Sequence, residues 1–203
     1  MVAVASHYYS AEPESKLEKG IIEAYLRGRF YRFVTASGVF SYKRIDNGTR
    51  LLVESMQLPG EGSLLDMGCG IGVIGIVAAT IMPGLAVTLT DVNSRATMLA
   101  EENISRMGLC NVEVLTGSLY EPVGERVFST IVSNPPISAG MRKVVEPLVS
   151  GAVEHLELGG LLQLVVRSNT GSRTVAGFLD RHFGNHTVES KGSGYRVFMA
   201  RKV

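Results

Sequence analysis

From Ser63 onwards, short apolar runs rich in β-branched residues alternate with longer segments of helical periodicity. Such alternation is typical of a parallel sheet with helices on both faces. The predicted strands are Ser63–Met67, Ala86–Thr90, Val112–Thr116, Val127–Ser133 and Leu161–Arg167, and the predicted helices are Val73–Ile81, Ser94–Met107, Lys143–Leu156 and Thr174–His182. Lys191-Gly192-Ser193-Gly194 joins two further runs, His186–Ser190 and Tyr195–Arg201, at a spacing that predicts an antiparallel hairpin. We therefore predict an α/β fold with a doubly wound, mostly parallel sheet that carries this hairpin at its edge.

The N-terminal quarter has a different pattern, which predicts a small helix-and-hairpin extension before the main sheet. Its predicted elements are a helix over 14–28, a hairpin of Arg29–Thr35 with Val39–Tyr42, and a helix over Arg50–Met56 capped by Thr49.

Length and composition limit the function classes. A chain of 203 residues with 45% hydrophobic and 19% charged residues is typical of one globular domain. No apolar run reaches membrane-spanning length, and the N-terminus lacks the basic start of a secretory signal. Cys69 and Cys110 form neither a disulfide framework nor a metal-ligand spacing, so we expect a reducing cytoplasm and no metal site. A net charge of +1 means that any nucleic-acid binding must come from a local patch.

A glycine-rich loop, Asp66-Met67-Gly68-Cys69-Gly70-Ile71-Gly72, follows the first strand of the alternating region. Glycines let the backbone approach a ligand closely at the carboxyl edge of such a sheet. Gly70 to Gly75 also satisfies the dinucleotide pattern G-x-G-x-x-G, which alone is a weak signal. Asp66 is awkward beside a pyrophosphate but suits the sulfonium and ammonium groups of S-adenosylmethionine. Tight strand–helix packing without any ligand is the alternative.

The ends of the next two strands carry further candidates. Asp91 stands where a carboxylate can accept hydrogen bonds from both ribose hydroxyls of either cofactor class, or it caps the helix that begins near Ser94. Ser118 stands where an adenine edge is often met, or it is a plain loop residue. Cys69 is interpreted as a small buried residue, because no basic group is evident near it to lower its pKa.

Asn134-Pro135-Pro136-Ile137 follows the fourth strand of the alternating region. Pro135 and Pro136 fix φ, lack an N–H and push the preceding residue into an extended conformation. The Asn134 amide oxygen and the Pro135 carbonyl can therefore both face one ligand NH₂ group, whose lone pair they would aim at an electrophile. An ordinary turn at the end of a strand is the alternative.

With both motifs in one chain, the sequence resembles the class I S-adenosylmethionine-dependent methyltransferases. More narrowly, it is similar to the small-domain (MTS) methyltransferases that modify the exocyclic amine of guanine in small-subunit ribosomal RNA. Ser37-Gly38-Val39-Phe40-Ser41 with Asp46-Asn47-Gly48-Thr49 matches that group, and Ser133–Gly140 with Gly194–Val197 resembles its archaeal-type, single-domain members.

The resemblance implies a Rossmann-like sheet of seven strands, S-adenosylmethionine as cofactor, and a Phe40 segment that lies over the active site. The catalytic residues that it implies are Asn134, Pro135, Pro136 and Ile137. The cofactor-binding residues that it implies are Asp66, Gly68, Cys69, Gly70, Gly72, Asp91, Val92, Asn93, Ser118, Leu119 and Asn134.

The substrate side departs from the family pattern at Ile137. Many amino-methyltransferases have an aromatic residue there, on which the target base stacks with about 1–3 kcal/mol. Phe40 or Tyr42 can supply that ring; otherwise the target is not a flat base. Arg142 and Lys143 follow the motif closely and are candidates for contacts with RNA phosphates. A second basic group interleaved with aromatic residues suits single-stranded RNA, or it is a solvated face with core aromatics behind it; its members are Arg27, Arg29, Arg32, Lys43 and Arg44 with Phe30, Tyr31 and Phe33.

The chain is therefore predicted to be an S-adenosylmethionine-dependent N-methyltransferase for an exocyclic amine, with guanine N2 of small-subunit ribosomal RNA as the favoured target. The alternatives are protein glutamine or adenine N6 methylation, an NAD-dependent oxidoreductase, and a non-catalytic RNA-binding module. One domain is expected over 1–203, with 1–48 as a substrate or lid extension and 49–203 as the catalytic core. Bacterial relatives carry a second, degenerate copy of the domain, for which 203 residues are too few, so a homodimer is one candidate for RNA recognition.

Overall fold

The first element of the structure is an antiparallel hairpin. The computed structural model describes residues 16–203, and its first strands are β1 (Lys19–Leu26) and β2 (Arg29–Ala36). The two strands pair along their whole length, from Lys19 opposite Ala36 to Leu26 opposite Arg29. The predicted helix over 14–28 is therefore wrong, and residues 14 and 15 of that prediction lie outside the described residues.

The burial of β1 explains why it is a strand. Every second residue from Ile22 to Leu26 is buried, and the residues between them are exposed. A period of two belongs to a strand with one face on the core, and the β-branched pair Ile21-Ile22 favours it. Arg27 and Gly28 form the two-residue turn with φ of +48° and +78°, because a hairpin of native twist needs positive φ at both positions.

Arg27 also attaches the hairpin to the first helix, α1 (Asn47–Ser55). Its Nε–H donates to the carbonyl oxygen of Val53 at 2.6 Å, and its guanidinium also donates to the carbonyl oxygen of Met56. These carbonyls lie at the C-terminal end of α1, where backbone oxygens lack partners within the helix. The turn residue thus caps a helix whose Val53 carbonyl lies 26 positions further along the chain.

The segment between the hairpin and α1 differs from the prediction. Residues 37–44 form turns, so the strand predicted over Val39–Tyr42, and with it the second half of the predicted hairpin, is wrong. The N-cap of α1 is Asp46, whose side chain accepts hydrogen bonds from the N–H groups of Gly48 and Thr49. The predicted cap at Thr49 is therefore also wrong, because an aspartate already stands where the first free N–H groups need an oxygen.

The main sheet has seven strands, as predicted. In chain order they are β3 (Gly62–Met67), β4 (Leu85–Asp91), β5 (Val112–Thr116), β6 (Phe128–Ser133), β7 (Leu156–Arg167), β8 (Thr187–Gly192) and β9 (Tyr195–Arg201). Their order across the sheet is β5-β4-β3-β6-β7-β9-β8. The strands β3 to β7 are parallel, and β9 lies antiparallel between β7 and β8. The doubly wound, mostly parallel sheet and the C-terminal hairpin are confirmed.

Helices cover both faces of this sheet. They are α2 (Val73–Ile81), α3 (Ser94–Met107), α4 (Glu146–His155) and α5 (Ser172–Phe183). The bounds of α2 and α3 are those predicted, whereas the predicted helix over Lys143–Leu156 is a π-helical turn at Met141–Val145 followed by α4. Neighbouring strand residues point to opposite cores, as Ile131 and Val132 do. Among residues 16–203, no helix is long and apolar enough to cross a membrane.

The topology defines one ligand-binding edge. β3 lies between β4 and β6, so the chain order reverses at β3. In doubly wound sheets, ligands bind at such a reversal, outside the carboxyl ends of the strands. The glycine-rich loop follows β3, Asp91 ends β4 and Asn134 follows β6. Three separate sequence motifs therefore meet at one edge.

Candidate active site

Three glycines shape the loop after β3. Gly68, Gly70 and Gly72 have φ of +71°, +57° and +88°, a region that other residues rarely adopt. The N–H groups of Gly68 and Cys69 both donate to the carbonyl oxygen of Thr90, at 2.8 and 2.9 Å. These bonds fasten the loop to the end of β4.

Close packing explains Gly72 and Gly75 but not Gly68 and Gly70. A Cβ on Gly72 would lie 2.9 Å from Cδ1 of Ile76 and 3.2 Å from Cδ1 of Leu89. A Cβ on Gly75 would lie 2.1 Å from Cδ2 of Leu89 and 3.3 Å from Cβ of Asp66, so Gly75 lets α2 lie against the sheet. A Cβ on Gly68 or Gly70 would meet no atom of the described residues within 4 Å. The alternative of tight packing without a ligand therefore accounts for Gly72 and Gly75, whereas Gly68 and Gly70 border open space.

Asp66 is a fully buried carboxylate beneath this loop. Its Oδ2 accepts the N–H of Gly75 at 2.9 Å, whereas its Oδ1 has no hydrogen-bond partner among residues 16–203. The pKa of Asp66 is raised to about 7, chiefly because burial disfavours the charged form; the Asp91 carboxylate adds to the shift and the Gly75 N–H opposes it. A cation bound nearby would stabilise the ionised form of this side chain.

Asp91 lies at the end of β4 and faces the glycine-rich loop. Its Oδ2 accepts the N–H of Gly70 at 2.8 Å, and its Oδ1 accepts the N–H of Asn93 at 2.9 Å. Burial raises the pKa of Asp91, and these N–H groups oppose the shift. The N-cap of α3 is Asn93, whose side chain accepts from the N–H groups of Arg95 and Ala96. The alternative in which Asp91 caps that helix is therefore wrong.

A cavity of about 300 Å³ opens between these loops, Asn134 and the segment before α1. The predicted site residues that line it are Phe40, Gly68, Cys69, Gly70, Asp91, Val92, Asn93, Ser118, Leu119, Asn134, Pro136 and Lys143. The predicted site residues outside its lining are Tyr42, Asp66, Gly72, Pro135, Ile137 and Arg142. Direct contact of this second group with a ligand stays a prediction.

The electrostatics of the cavity favour a cation over a pyrophosphate. Asp91 lines the cavity. Burial raises the pKa of the nearby Cys69 thiol most, and the carboxylates of Asp91 and Asp66 raise it further, so negative charge lies close to this loop. Lys143 is the single basic side chain among the described lining residues. Phosphate sites combine free N–H groups with positive charge, whereas here the N–H of Gly70 is occupied by a carboxylate. The residues fit the sulfonium and ammonium groups of S-adenosylmethionine.

The side chain of Asn134 is fixed by two residues at the start of α1. Its Nδ2 donates to Oγ1 of Thr49 at 2.9 Å and to Oδ2 of Asp46 at 3.2 Å. All side-chain hydrogen bonds of Asn134 within residues 16–203 are made through Nδ2. Its amide oxygen is therefore left free to accept a hydrogen bond from a ligand in the cavity.

The rest of the Asn-Pro-Pro motif is arranged differently. The carbonyl oxygen of Pro135 accepts the N–H of Ile137 at 2.9 Å, and Pro135 itself is buried. A carbonyl oxygen has two lone pairs, so its predicted contact with a ligand NH₂ group uses the second one. Pro136 lines the cavity, whereas Ile137 packs against the core beneath α4 and α5.

The candidate substrate residues separate into two groups. Phe40 lines the cavity with 41% of its surface exposed, and the exposed Lys143 lines it as well. Tyr42 packs partly against the core, and Arg142 lines a separate groove next to Glu146 and Arg181. Phe40 is thus the aromatic ring that the fold brings to the site.

The aromatic residues of the N-terminal hairpin divide between core and solvent. Tyr31 and Phe33 are buried, as expected for a basic strand face with core aromatics behind it. Phe30 is exposed and its ring centroid lies 4.8 Å from that of Tyr25. Arg32 forms an ion pair with Glu23, whose carboxylate is 3.0 Å away.

Residues 30–199 match the family model of the methyltransferase small domain. The chain belongs to this family. Membership identifies it as a methyltransferase with S-adenosylmethionine as cofactor, in agreement with the cavity described above.

Relatives of this small-domain methyltransferase include both short and long chains. It is 37% identical over 202 residues to the uncharacterised protein YbxB of Bacillus subtilis, with 98% of this chain and 100% of YbxB covered. It is 36% identical over 169 residues to the ribosomal RNA small subunit methyltransferase C of Sodalis glossinidius, with 82% of this chain and 47% of that protein covered.

Among solved structures, the 16S rRNA N2 G1207 methyltransferase of T. thermophilus, in complex with AdoMet and guanosine, superimposes with a TM-score of 0.82 at 26% identity. The match covers 94% of this chain and 52% of that one. The chain thus spans about half the length of the ribosomal RNA methyltransferases that it matches.

Asp46 and Thr49 contact the Asn134 amide at the cavity, and the sequence did not predict this contact. The signal was present, because Asp46-Asn47-Gly48-Thr49 was part of the family resemblance. Its role could not be inferred, since Asp46 and Asn134 are 88 positions apart in the chain.

Proposed function

We propose that this methyltransferase transfers the methyl group of S-adenosylmethionine to the exocyclic N2 amine of a guanine in small-subunit ribosomal RNA. The observation that carries the proposal is the free amide oxygen of Asn134 beside the cavity. The Sodalis relative is a ribosomal RNA small subunit methyltransferase and the T. thermophilus structure is a 16S rRNA N2 G1207 methyltransferase, which supports this substrate class.

Gly68, Gly70 and Asp91 are the residues that would hold the cofactor. The open space at both glycines lets a ligand lie directly against the loop backbone. Asp91 lines the cavity beside them, where its carboxylate can accept hydrogen bonds from ribose hydroxyls. S-adenosylmethionine, when bound, supplies an electrophilic methyl group on a positively charged sulfur. The ionised form of Asp66 favours such a cation over a neutral or anionic ligand.

Asn134 is proposed to orient the methyl acceptor. The lone pair of an exocyclic guanine amine is delocalised into the ring, so the nitrogen is a poor nucleophile. A hydrogen bond from the amine to Oδ1 of Asn134 fixes the nitrogen and directs its lone pair out of the ring plane. This hydrogen bond strengthens as positive charge develops on the nitrogen, so it stabilises the transition state more than the ground state. The excess proton then leaves to water, and no general base is needed.

Phe40 and Lys143 are proposed to receive the RNA. Phe40 offers a half-exposed ring at the cavity, which suits stacking of an unpaired base. Lys143 offers a cation for a neighbouring phosphate. Phe40, Ser41 and Ile45 belong to the segment before α1 and all line the cavity, which supports the expectation that residues 1–48 form a substrate-side extension.

The test is identification of the methylated product. Purified protein is incubated with tritium-labelled cofactor and small-subunit ribosomal RNA, both free and in assembled subunits, and the digest is analysed by mass spectrometry. N2-methylguanosine is the expected product. N6-methyladenosine, or label found only in protein, would contradict the proposal.

A further inference from the structure

The amide of Asn134 could face the site in two ways that differ little in shape. Turning the group by 180° exchanges its oxygen for an NH₂ group at the same place. The oxygen accepts a hydrogen bond from an incoming amine, whereas the NH₂ group would repel the hydrogens of that amine. The chemistry proposed for Asn134 therefore requires something that decides between the two orientations.

Asp46 and Thr49 distinguish these orientations. An ionised carboxylate only accepts hydrogen bonds, so the Asn134 atom 3.2 Å from Oδ2 of Asp46 must be the nitrogen. The Thr49 hydroxyl donates its hydrogen to the same Asp46 oxygen. Its lone pairs therefore remain to accept the second N–H of Asn134, at 2.9 Å. Both hydrogens of the Asn134 amide are thus held at the start of α1.

Asp46 and Thr49 are themselves rigidly placed. Oδ1 of Asp46 accepts the backbone N–H groups of Gly48 at 2.8 Å and Thr49 at 3.2 Å, so its carboxylate is fixed by the helix that it caps. A Cβ on Gly48 would lie 2.7 Å from the ring of Tyr195, which shows how closely α1 approaches the sheet at this point. Thr49 is buried, with 8% of its surface exposed. The start of α1 is therefore a firm support for a side chain on the loop after β6.

We propose that Asp46 and Thr49 are positioning residues, which hold the Asn134 amide with its oxygen toward the methyl acceptor. This inference rests on the proposed role of Asn134. It assigns the Asp46-Asn47-Gly48-Thr49 segment a part in methyl transfer through Asn134, in addition to its part in starting α1.

The test compares conservative variants at both positions. Asp46→Asn keeps an N-cap oxygen, because asparagine and aspartate cap helices equally well, but it replaces Oδ2 by an NH₂ group that opposes the Asn134 NH₂. Thr49→Val removes the hydroxyl at constant volume, and Thr49→Ser restores it. Ser55→Ala is the matched control, since it removes a hydroxyl from the far end of α1, where Ser55 contacts the Leu51 carbonyl.

We expect Asp46→Asn and Thr49→Val to lower kcat by about 10²-fold, the effect of losing one preorganised polar partner at a reacting centre. Thr49→Ser and Ser55→Ala keep the wild-type kcat. Cofactor Kd and KM for RNA stay at wild-type values in all four variants, and Tm falls by no more than roughly 2–4 °C, the effect of about one lost hydrogen bond in a chain of this size. Wild-type kcat in both Asp46→Asn and Thr49→Val overturns the proposal, and so does a loss of kcat that is matched by loss of cofactor binding or by a larger fall in Tm.

A second measurement does not depend on turnover. In ¹⁵N-labelled protein, hydrogen exchange of the Asn134 side-chain NH₂ is expected to be slow, and to become fast in Asp46→Asn and Thr49→Val. Fast exchange in the wild type overturns the proposal. Slow exchange together with no methyl transfer to any RNA would be consistent with the hydrogen bonds of Asn134 to Asp46 and Thr49 and would contradict the proposed function instead.

Discussion

Replacing Asp66 by asparagine should stabilise the protein at high pH and not at low pH. Asp66 is fully buried, and its Oδ1 has no hydrogen-bond partner among the described residues. Asp66→Asn removes the buried charge. The asparagine side-chain oxygen can still accept the hydrogen bond that the Gly75 N–H donates to Oδ2 of Asp66 in the wild type.

The magnitude follows from the pKa of Asp66, which burial raises to about 7 in the folded protein. An unfolded aspartate has a pKa of roughly 3.9. Between these values the folded state binds more protons than the unfolded state, so stability falls as pH rises from about 4 to about 7 and is constant above that range. At about 1.4 kcal/mol per pKa unit, the wild type loses roughly 2–3 kcal/mol between pH 5 and pH 8 through this one group. Asp66→Asn does not undergo this loss.

The assay is urea denaturation of both proteins, without cofactor, at pH 5, 6, 7 and 8. The free energy of unfolding of Asp66→Asn minus that of the wild type should increase by about 2–3 kcal/mol from pH 5 to pH 8. A difference that is independent of pH, or that decreases toward pH 8, would contradict a raised pKa of Asp66 in the folded protein.

The other predictions concern cofactor, substrate and fold. Calorimetry should show that the wild type binds S-adenosylmethionine more tightly as pH rises toward 7, by up to about tenfold per pH unit, because a cation favours ionised Asp66. The Asp66→Asn variant should bind S-adenosylmethionine more weakly, and its affinity should not depend on pH in this range. Phe40→Ala should raise KM for RNA, because about 1–3 kcal/mol of stacking is lost, whereas Phe40→Tyr should have the wild-type KM. Equal KM values in the two variants would exclude stacking. Arg27→Ala should lower the free energy of unfolding by about 2 kcal/mol, since a charged donor to the carbonyls of Val53 and Met56 is lost; unchanged urea midpoints would contradict that role.

The sequence predicted the main sheet well because its central strands, such as β3 and β6, are largely buried. Such strands are short apolar runs, and they are separated by helices of clear periodicity. The bounds of β5, α2, α3 and β9 agree with the structure. The N-terminal hairpin was predicted wrongly because Ile21, Ile22, Tyr25 and Leu26 satisfy a helical spacing, whereas the residues that alternate on the buried face of β1 are Ile22, Ala24 and Leu26. Pairing with β2 decided between the two, and single-sequence periodicity contains no information about pairing.

The site was predictable where its residues follow strands, and less so elsewhere. Gly68, Gly70, Asp91 and Asn134 share one cavity because parallel strands present their carboxyl ends at the same edge. The Pro135 carbonyl was expected to accept a hydrogen bond from the ligand. In the structure it accepts one from the N–H of Ile137, which the sequence did not predict. The contacts of Asn134 with α1 depend on how distant segments pack, which the motifs alone do not encode. The division into 1–48 and 49–203 and a homodimer both stay predictions.

The role of Asn134 in orienting the methyl acceptor is tested by the single-turnover rate of methyl transfer in Asn134→Ala, with Ser138→Ala on the same loop as control. We predict that Asn134→Ala loses about 10²–10³-fold in rate, as when one oriented hydrogen-bond partner of a transition state is removed, and binds S-adenosylmethionine with the wild-type Kd. A wild-type rate in Asn134→Ala would show that its amide oxygen does not orient the reacting amine.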